Sequence, residues 1–324
     1  MNSSMPAVRV GTRASLLART QSGLVVRDLQ SRWPDLKVEL VEITTTGDVV
    51  LDRPLHELGG KGLFIKELEL ALLEGRIDLA VHSYKDVPVT MPLVAAGELC
   101  VAAVPIRQDV RDVLAMRGPA VTRLADLPAG AHVGTGSLRR QCQLMEKRPD
   151  LRISPIRGNI DTRLRKLRAG EFDAVVLAMA GLLRCGLFDA ATMGAIDTGE
   201  LMPAAGQGAL SLQCRRSDTA TLNYAAALSD AASAECVNLE RDLVARLAGD
   251  CHSPIGSLAR IEGDQIHLSA SVGARGGQPP VVRATGHSDR GHAAVVADQV
   301  FSSLVALGAM DRLHGGDRDA NIRY

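Results

Sequence analysis

Aromatic side chains are scarce: one Trp, three Tyr and four Phe in 324 residues. An excess of either charge is missing too, since 37 Lys and Arg balance 37 Asp and Glu. A protein that stacks bases needs rings, and one that tracks phosphates needs a basic surplus, so nucleic acid is not an expected partner. No stretch approaches eighteen consecutive apolar residues, so no membrane-spanning helix is expected. MNSSMPAVRV has no basic segment followed by an apolar one; no export signal is read, and a cytoplasmic location is expected. No heptad pattern runs through the chain, which with zero net charge makes a monomer the expected state. The cysteines at 100, 142, 185, 214, 236 and 251 include no C-x-x-C pair, and a chain that is not exported is kept reduced, so neither disulfides nor a zinc knuckle is expected. The eight histidines lack ligand spacing: His287 and His292 lie five apart in a polar stretch and no H-E-x-x-H occurs, so no metal centre is expected.

What is present is a chain 46% apolar, long enough for two or three cores and several domains. Val- and Ile-rich runs alternate with segments of helical period, the pattern of α/β lobes with mostly parallel sheets. VRVGT (8–12) leads into a helix from about Ser15 to Arg32, and KVELVEI (37–43) reads as the next strand. GLFIKELELALLEG (62–75) has apolar residues at three and four spacing and stops at Gly75, before the strand IDLAVHS (77–83). A second series follows: HVGTGS (132–137) as strand and turn, SLRRQCQLMEKRP as a helix ended by Pro149, LRISPIRG as a strand, NIDTRLRKLRAG as a helix closed by Gly170, and DAVVLAMAG as a strand. LMPAAGQGALSLQC (201–214) offers turn glycines and a strand that returns the chain to the first lobe. Beyond Ala225 come two helical stretches, strands near 257–261, 266–273 and 281–287, and a helix near 291–308, a small α+β domain. The expected division is residues 1–105 with 201–222 as a first, discontinuous lobe, 106–200 as a second, and 223–324 as the C-terminal domain. The tail HGGDRDANIRY is expected to fray.

Ligands bind beyond the carboxyl ends of strands in open parallel sheets, and HSYKDVP (82–88) puts Ser83, Lys85 and Asp86 there before Pro88. This is either a solvated turn with a Lys and an Asp side by side or a carboxylate, Asp86, aimed at a developing cation. Lys85 as a Schiff-base lysine is a rival, without an evident aldehyde pocket. In the second series Thr135, Ser137, Arg139 and Arg140 fall on a strand-to-helix turn, Arg157 in a strand-end turn, Arg163 one turn into a helix, and Arg184 after the next strand. Arg165 and Arg168 read as solvent-facing; the others recur at one end of successive units and suit a ligand with several carboxylates. GTGS (134–137) and GGKG (59–62) lack the remaining residues of nucleotide-binding fingerprints. The long polar stretch TTTGDVVLDRPLHELGGKG suggests a mobile lid. In AGDCHSPIG (248–256), Cys251 is either one more buried thiol or a nucleophile held in a turn.

TRASLLA, GGKGLFIKELELALLEGRIDLAVHSYKDVP, VGTGSLRRQCQL, RGNIDTRL, MPAAGQGAL and LAGDCHSPIG, in this order, resemble the hydroxymethylbilane synthase family, also called the porphobilinogen deaminases. The resemblance covers nearly the whole chain. It implies two lobes similar to those of periplasmic binding proteins plus a third domain. It also implies a transferase that joins four porphobilinogen molecules head to tail, releasing ammonia and giving hydroxymethylbilane for haem and other tetrapyrroles. The implied cofactor is a dipyrromethane bound by a thioether to Cys251, with Asp86 the catalytic carboxylate and Lys85 tuning it. Ser83, Lys85, Asp86, Thr135, Ser137, Arg139 and Arg140 would then hold the cofactor, and Arg13, Ser15, Arg157, Arg163 and Arg184 the substrate or cofactor carboxylates. Asp250 stands where family members frequently carry Gly, and Gly136 where Ser is common. A non-catalytic anion-binding protein on the same two lobes is the alternative, but it would need no nucleophile at Cys251.

Overall fold

A computed structural model describes residues 7–44, 65–89, 97–250 and 252–315. The chain divides into two compact units, Met1–Gln108 with Ala209–Ala234, and Asp109–Gly208 with Glu235–Tyr324.

The first unit is built on strands β1 (Val8–Thr12), β2 (Val38–Glu42), β3 (Leu79–Ser83), β4 (Leu99–Ala103) and, after an excursion through the second unit, β10 (Leu210–Arg215). They lie in the order β2-β1-β3-β10-β4. The β1–β2 and β1–β3 pairs are parallel and both pairs made by β10 are antiparallel, so β10 alone runs against the other four. Both faces of the sheet are covered, as parallel strands require. Leu79, Val81 and Leu212 pack on one face with Val25 and Leu29 of α1 (Leu16–Arg32). Ala80 packs on the other with Leu68 and Leu72 of α2 (Lys66–Leu73). The residue-by-residue alternation along β3 is the period of two that a pleated strand imposes. The sequence places α1 from about Ser15; Ser15 is its N-cap, its Oγ accepting the Ala18 N–H at 3.3 Å. α6 (Thr219–Ala226) is capped likewise by Asp218.

The second unit repeats the plan with β5 (Asp112–Met116), β6 (His132–Gly134), β7 (Arg152–Ser154), β8 (Ala174–Ala178) and β9 (Met193–Ala195) in the order β7-β6-β8-β5-β9. Again one strand, here β5, is antiparallel to its neighbours. In each sheet the reversed strand is the one beside a crossing between units, β5 after the outward crossing and β10 after the return. The helices α3 (Leu138–Lys147), α4 (Ile160–Arg168) and α5 (Met179–Arg184) each follow a strand of this unit. The short strands β4, β5 and β9 are not among those read from the sequence. β9 is only three residues long, and β5 owes its place to tertiary pairing with β8 and β9.

The C-terminal part of this unit is an antiparallel meander, β11 (Ile255–Glu262), β12 (Gln265–Val272) and β13 (Val282–Asp289), covered by α8 (Ala293–Ala306), with α9 (Ala309–His314) beside it. α7 (Ala231–Arg246) precedes the meander. The meander docks on α3: Glu146 accepts the Val281 N–H at 2.9 Å and pairs with Arg283. Gly273 sits against Cys142, where an added Cβ would lie 2.4 Å from the Sγ, so only glycine permits this approach. Glu240 of α7, fully buried, accepts the Gly206 N–H at 2.7 Å and the Ala259 N–H at 2.8 Å, joining three segments through one carboxylate. The suggested lid at 44–62, apart from Thr44, and all of the fraying tail except His314 and Gly315, lie outside the described residues.

Candidate active site

In the first unit the candidate residues gather at the carboxyl ends of two adjacent parallel strands. β1 and β3 pair in register at Gly11 and Ala80, so Arg13 and Ser15 leave one strand beside the point where Ser83 leaves the other. The chain then makes a 3-10 turn over Tyr84–Asp86, closed by the Val87 N–H on the Tyr84 carbonyl, and Pro88 prevents its continuation. Tyr84 is buried, its N–H donating to the Ala209 carbonyl at 3.0 Å, while Lys85 is half-buried and Asp86 exposed. Ser83 Oγ is held by Gln21 of α1, whose Nε2 donates to it at 2.9 Å.

Beneath this strand end lies a polar relay that no sequence motif marks. Glu69 and Gln213 are fully buried and His82 nearly so. Gln213 Nε2 donates to Glu69 Oε1 at 2.8 Å, which turns its Oε1 toward His82 Nε2 at 3.1 Å. The carboxylate therefore sets the amide, and the amide requires the proton to sit on His82 Nε2. Burial pushes the His82 imidazole down to about 4; the bond to Gln213 opposes this in part and the Arg13 charge adds to it. The only outward sign of the relay is polar residues inside the apolar runs IDLAVHS and ALSLQC.

In the second unit Thr135, Ser137, Arg139 and Arg140 occupy the β6–α3 junction. Thr135 is buried, and its Oγ1 accepts the Ser137 N–H at 3.2 Å; Ser137 is the N-cap of α3 without a side-chain cap bond of its own. Arg139 and Arg140 are almost wholly buried, and both converge on Asp112, the fully buried first residue of β5. Arg139 Nη1 meets Asp112 Oδ2 at 2.9 Å and Arg140 Nη2 meets Oδ1 at 2.7 Å. Gln207 Nε2 donates to the same Oδ1 at 2.9 Å. Burial alone would raise the Asp112 carboxyl, but the two guanidiniums outweigh it and hold the group well below the usual carboxylate range. One carboxylate against two guanidiniums leaves one positive charge in excess, and Arg140 Nε is buried without a hydrogen-bond partner.

Next to Gln207, the Gly208 carbonyl accepts from Arg184 Nη2 at 2.7 Å. No carboxylate meets Arg184 among the described residues, and burial pushes its guanidinium down to about 10. Arg163 Nε donates to the Gly158 carbonyl at 2.8 Å, and Arg157 is exposed. Asp112 has little trace in the sequence: it is a single acid opening the apolar run DVLAM.

Cys251 lies outside the described residues. The flanking turn is tied by Asp250, whose Oδ1 accepts the His252 N–H at 2.9 Å and the Ser253 N–H at 3.0 Å, while Ser253 Oγ accepts the Asp250 N–H at 2.9 Å. The Asp250 carboxylate is thus occupied with backbone donors. Ala248, three residues before the cysteine, has a positive φ of 51°, the left-handed conformation that helices adopt on ending.

A buried positive excess, a spare buried N–H and a desolvated arginine in one unit make a donor set that suits a ligand bearing several carboxylates, as a dipyrromethane does. Residues 8–223 match the family described as porphobilinogen deaminase, dipyromethane cofactor binding domain, and residues 234–300 match the porphobilinogen deaminase C-terminal domain. The porphobilinogen deaminase of Roseiflexus sp. (strain RS-1) is 49% identical over 83% of this chain and 86% of its own length. That of Sorangium cellulosum (strain So ce56) is 48% identical over 81% and 85%. Among solved structures, the methionine binding protein MetQ matches at TM-score 0.42 and 14% identity over 68% of this chain and 89% of that one. The periplasmic aliphatic sulphonate binding protein SsuA from Escherichia coli matches at TM-score 0.39 and 14% identity over 93% and 87%. Matched along both its lobes and its C-terminal segment, the chain belongs to the porphobilinogen deaminase family.

Proposed function

We propose that Asp86 is the catalytic carboxylate and Cys251 the cofactor anchor of this chain, with the arginine-rich second unit holding the carboxylates of the growing product. The enzyme is a transferase of tetrapyrrole biosynthesis that joins four porphobilinogen molecules head to tail, with release of ammonia, to give hydroxymethylbilane. Its dipyrromethane cofactor supplies a covalently held primer whose free α-carbon is the nucleophile. Everything else is done by side chains of the chain itself.

The observation that carries the carboxylate-binding part of this assignment is the positive excess of Arg139, Arg140 and Arg184 over Asp112 in the second unit. Porphobilinogen brings an acetate and a propionate. Each charge-assisted hydrogen bond to a guanidinium contributes about 1.5–3 kcal/mol, and a buried guanidinium without its anion costs at least as much. Arg184, half-buried and meeting no carboxylate among the described residues, gains most from such a partner. Arg140 Nε offers a further donor, and Arg157 and Arg163 border the same strand-end turns. Ser83 and Lys85 flank Asp86 on the first unit, and Arg13 and Ser15 stand at the neighbouring strand end.

Loss of ammonia from porphobilinogen leaves positive charge spread onto the pyrrole N–H. Asp86, exposed on a turn that β3 and the buried Tyr84 hold rigid, accepts that N–H and stabilises the charge as it forms. The same carboxylate is within its chemistry to move protons at the departing amine and the attacked carbon, with Lys85 biasing its charge. The reading includes three domains, 1–105 with 201–222, 106–200 and 223–324, supported by the three separate sheets. It also takes the chain as a cytoplasmic monomer, supported by a sequence without a heptad pattern; among the described residues no helix is long and apolar enough to cross a membrane.

Intact-mass measurement tests the assignment. The purified chain is expected to be heavier than its sequence by one dipyrromethane, and Cys251→Ser to lack the increment. Asp86→Asn is expected to fold, keep its increment and lose turnover by orders of magnitude. An unmodified chain with full turnover refutes the anchor, and near-normal rates in Asp86→Asn move the catalytic role elsewhere.

A further inference from the structure

We propose that Asp112 is a positioning residue for the reaction: it aims the Arg139–Arg140 pair and sets the pair's net charge. The inference rests on the reading above that these arginines face cofactor or product carboxylates. Asp112 itself touches no substrate.

The geometry is one of converging constraints. Each guanidinium is tied at two points: Arg139 Nη1 to Asp112 and to the Met202 carbonyl, Arg140 to Asp112 through Nη2 and to the Val176 carbonyl through Nη1. A guanidinium is planar, so fixing its Nη atoms fixes the direction of every remaining N–H. Arg140 Nε is thereby aimed and left free of protein partners. Gln207 in turn holds Asp112, donating from one Nε2 to Asp112 Oδ1 and, at 2.7 Å, to the Val110 carbonyl. Three strands meet here, since Asp112 opens β5, Val176 lies in β8, and α3 brings both arginines from the end of β6.

The charge count gives the second half of the role. With Asp112 ionised the cluster carries one surplus positive charge; without it, two guanidiniums sit buried and uncompensated. Each added porphobilinogen brings two more carboxylates, and a finished product must still leave. A cluster of one net charge orients an anionic chain and releases it, whereas a doubly charged one holds it longer.

The test uses the dipyrromethane-loaded enzyme. Asp112→Asn keeps the shape and an acceptor for Gln207 but removes the charge. Among loaded, folded molecules kcat is expected to fall roughly ten- to a hundredfold, the scale of an ångström-sized misplacement, with KM changing much less. Under turnover, intact-mass spectra are expected to shift toward enzyme carrying added pyrrole units. A loaded Asp112→Asn enzyme with unchanged kcat, KM and mass ladder overturns the proposal. Should Asp112→Asn fail to fold or load, Gln207→Met decides: it loosens Asp112 while leaving both ion pairs, and a several-fold lower kcat is expected, with unchanged kinetics overturning the idea. Wild-type enzyme without any mass increment would instead refute the cofactor reading on which this one rests, a result separate from either variant.

Discussion

Acidification is expected to loosen the first unit through one residue, His82. The imidazole is buried and neutral, with its proton on Nε2, and burial, with Arg13 nearby, holds it down to about 4 against the bond to Gln213. In the unfolded chain it titrates at the ordinary value near 6.5. Between these two values the unfolded state binds more protons than the folded one, so the unfolding free energy falls as pH drops through that window. The loss is close to zero at pH 7 and reaches about 2 kcal/mol by pH 5. The single tryptophan of the chain reports on this unit, because Trp33 packs edge-on against Tyr224 with ring centroids 5.0 Å apart. Urea titrations followed by Trp33 fluorescence at pH 7 and pH 5 measure the loss, and His82→Leu is the control. The variant leaves Gln213 Oε1 unpaired at every pH, so it is less stable at pH 7, but the pH-dependent part assigned to His82 disappears. Equal losses between pH 7 and pH 5 in wild type and His82→Leu would show that His82 does not titrate as its burial requires.

Arg184→Met is expected to leave the melting temperature unchanged or raised, because a desolvated guanidinium is removed, while KM for porphobilinogen rises about tenfold or more. Thermal melts and initial-rate kinetics on the same preparation check both halves, and a large loss of stability with unchanged KM contradicts the assignment. Burial pushes the Cys142 thiol up to about 11, so it is expected to resist alkylation at pH 8 until the fold opens, which peptide mapping after brief maleimide treatment reads directly. Gly273→Ala forces a methyl to within 2.4 Å of that sulfur, and is expected to cost about 1–3 kcal/mol in denaturant titrations.

Much of the architecture is legible in the chain. The apolar periods place β1, α1, β3, α3, β8 and the C-terminal meander close to their observed bounds, because local period and the side of burial are the same information. The ordered motifs carry the family, and with it the chemistry expected of Asp86 and Cys251. Other features have no local cause. DVLAM reads only as a short apolar run, yet as β5 it is the reversed strand of its sheet, because its direction depends on where the chain crosses between units. Arg139 and Arg140 look in the sequence like free ligands of an anion. Folding buries them and assigns them a shared carboxylate from a residue 27 and 28 positions away. His82 looks like one more polar residue at a strand end until Gln213, 131 residues further on, determines its tautomer.

The sequence by itself thus determined the residue types, the order of the elements and the family, all of which depend on near neighbours along the chain. Only the tertiary structure decided which charges are spent on each other and which remain for a ligand. That partition is set by burial and by contacts between distant segments, where a guanidinium or an imidazole must either find a partner or stay neutral.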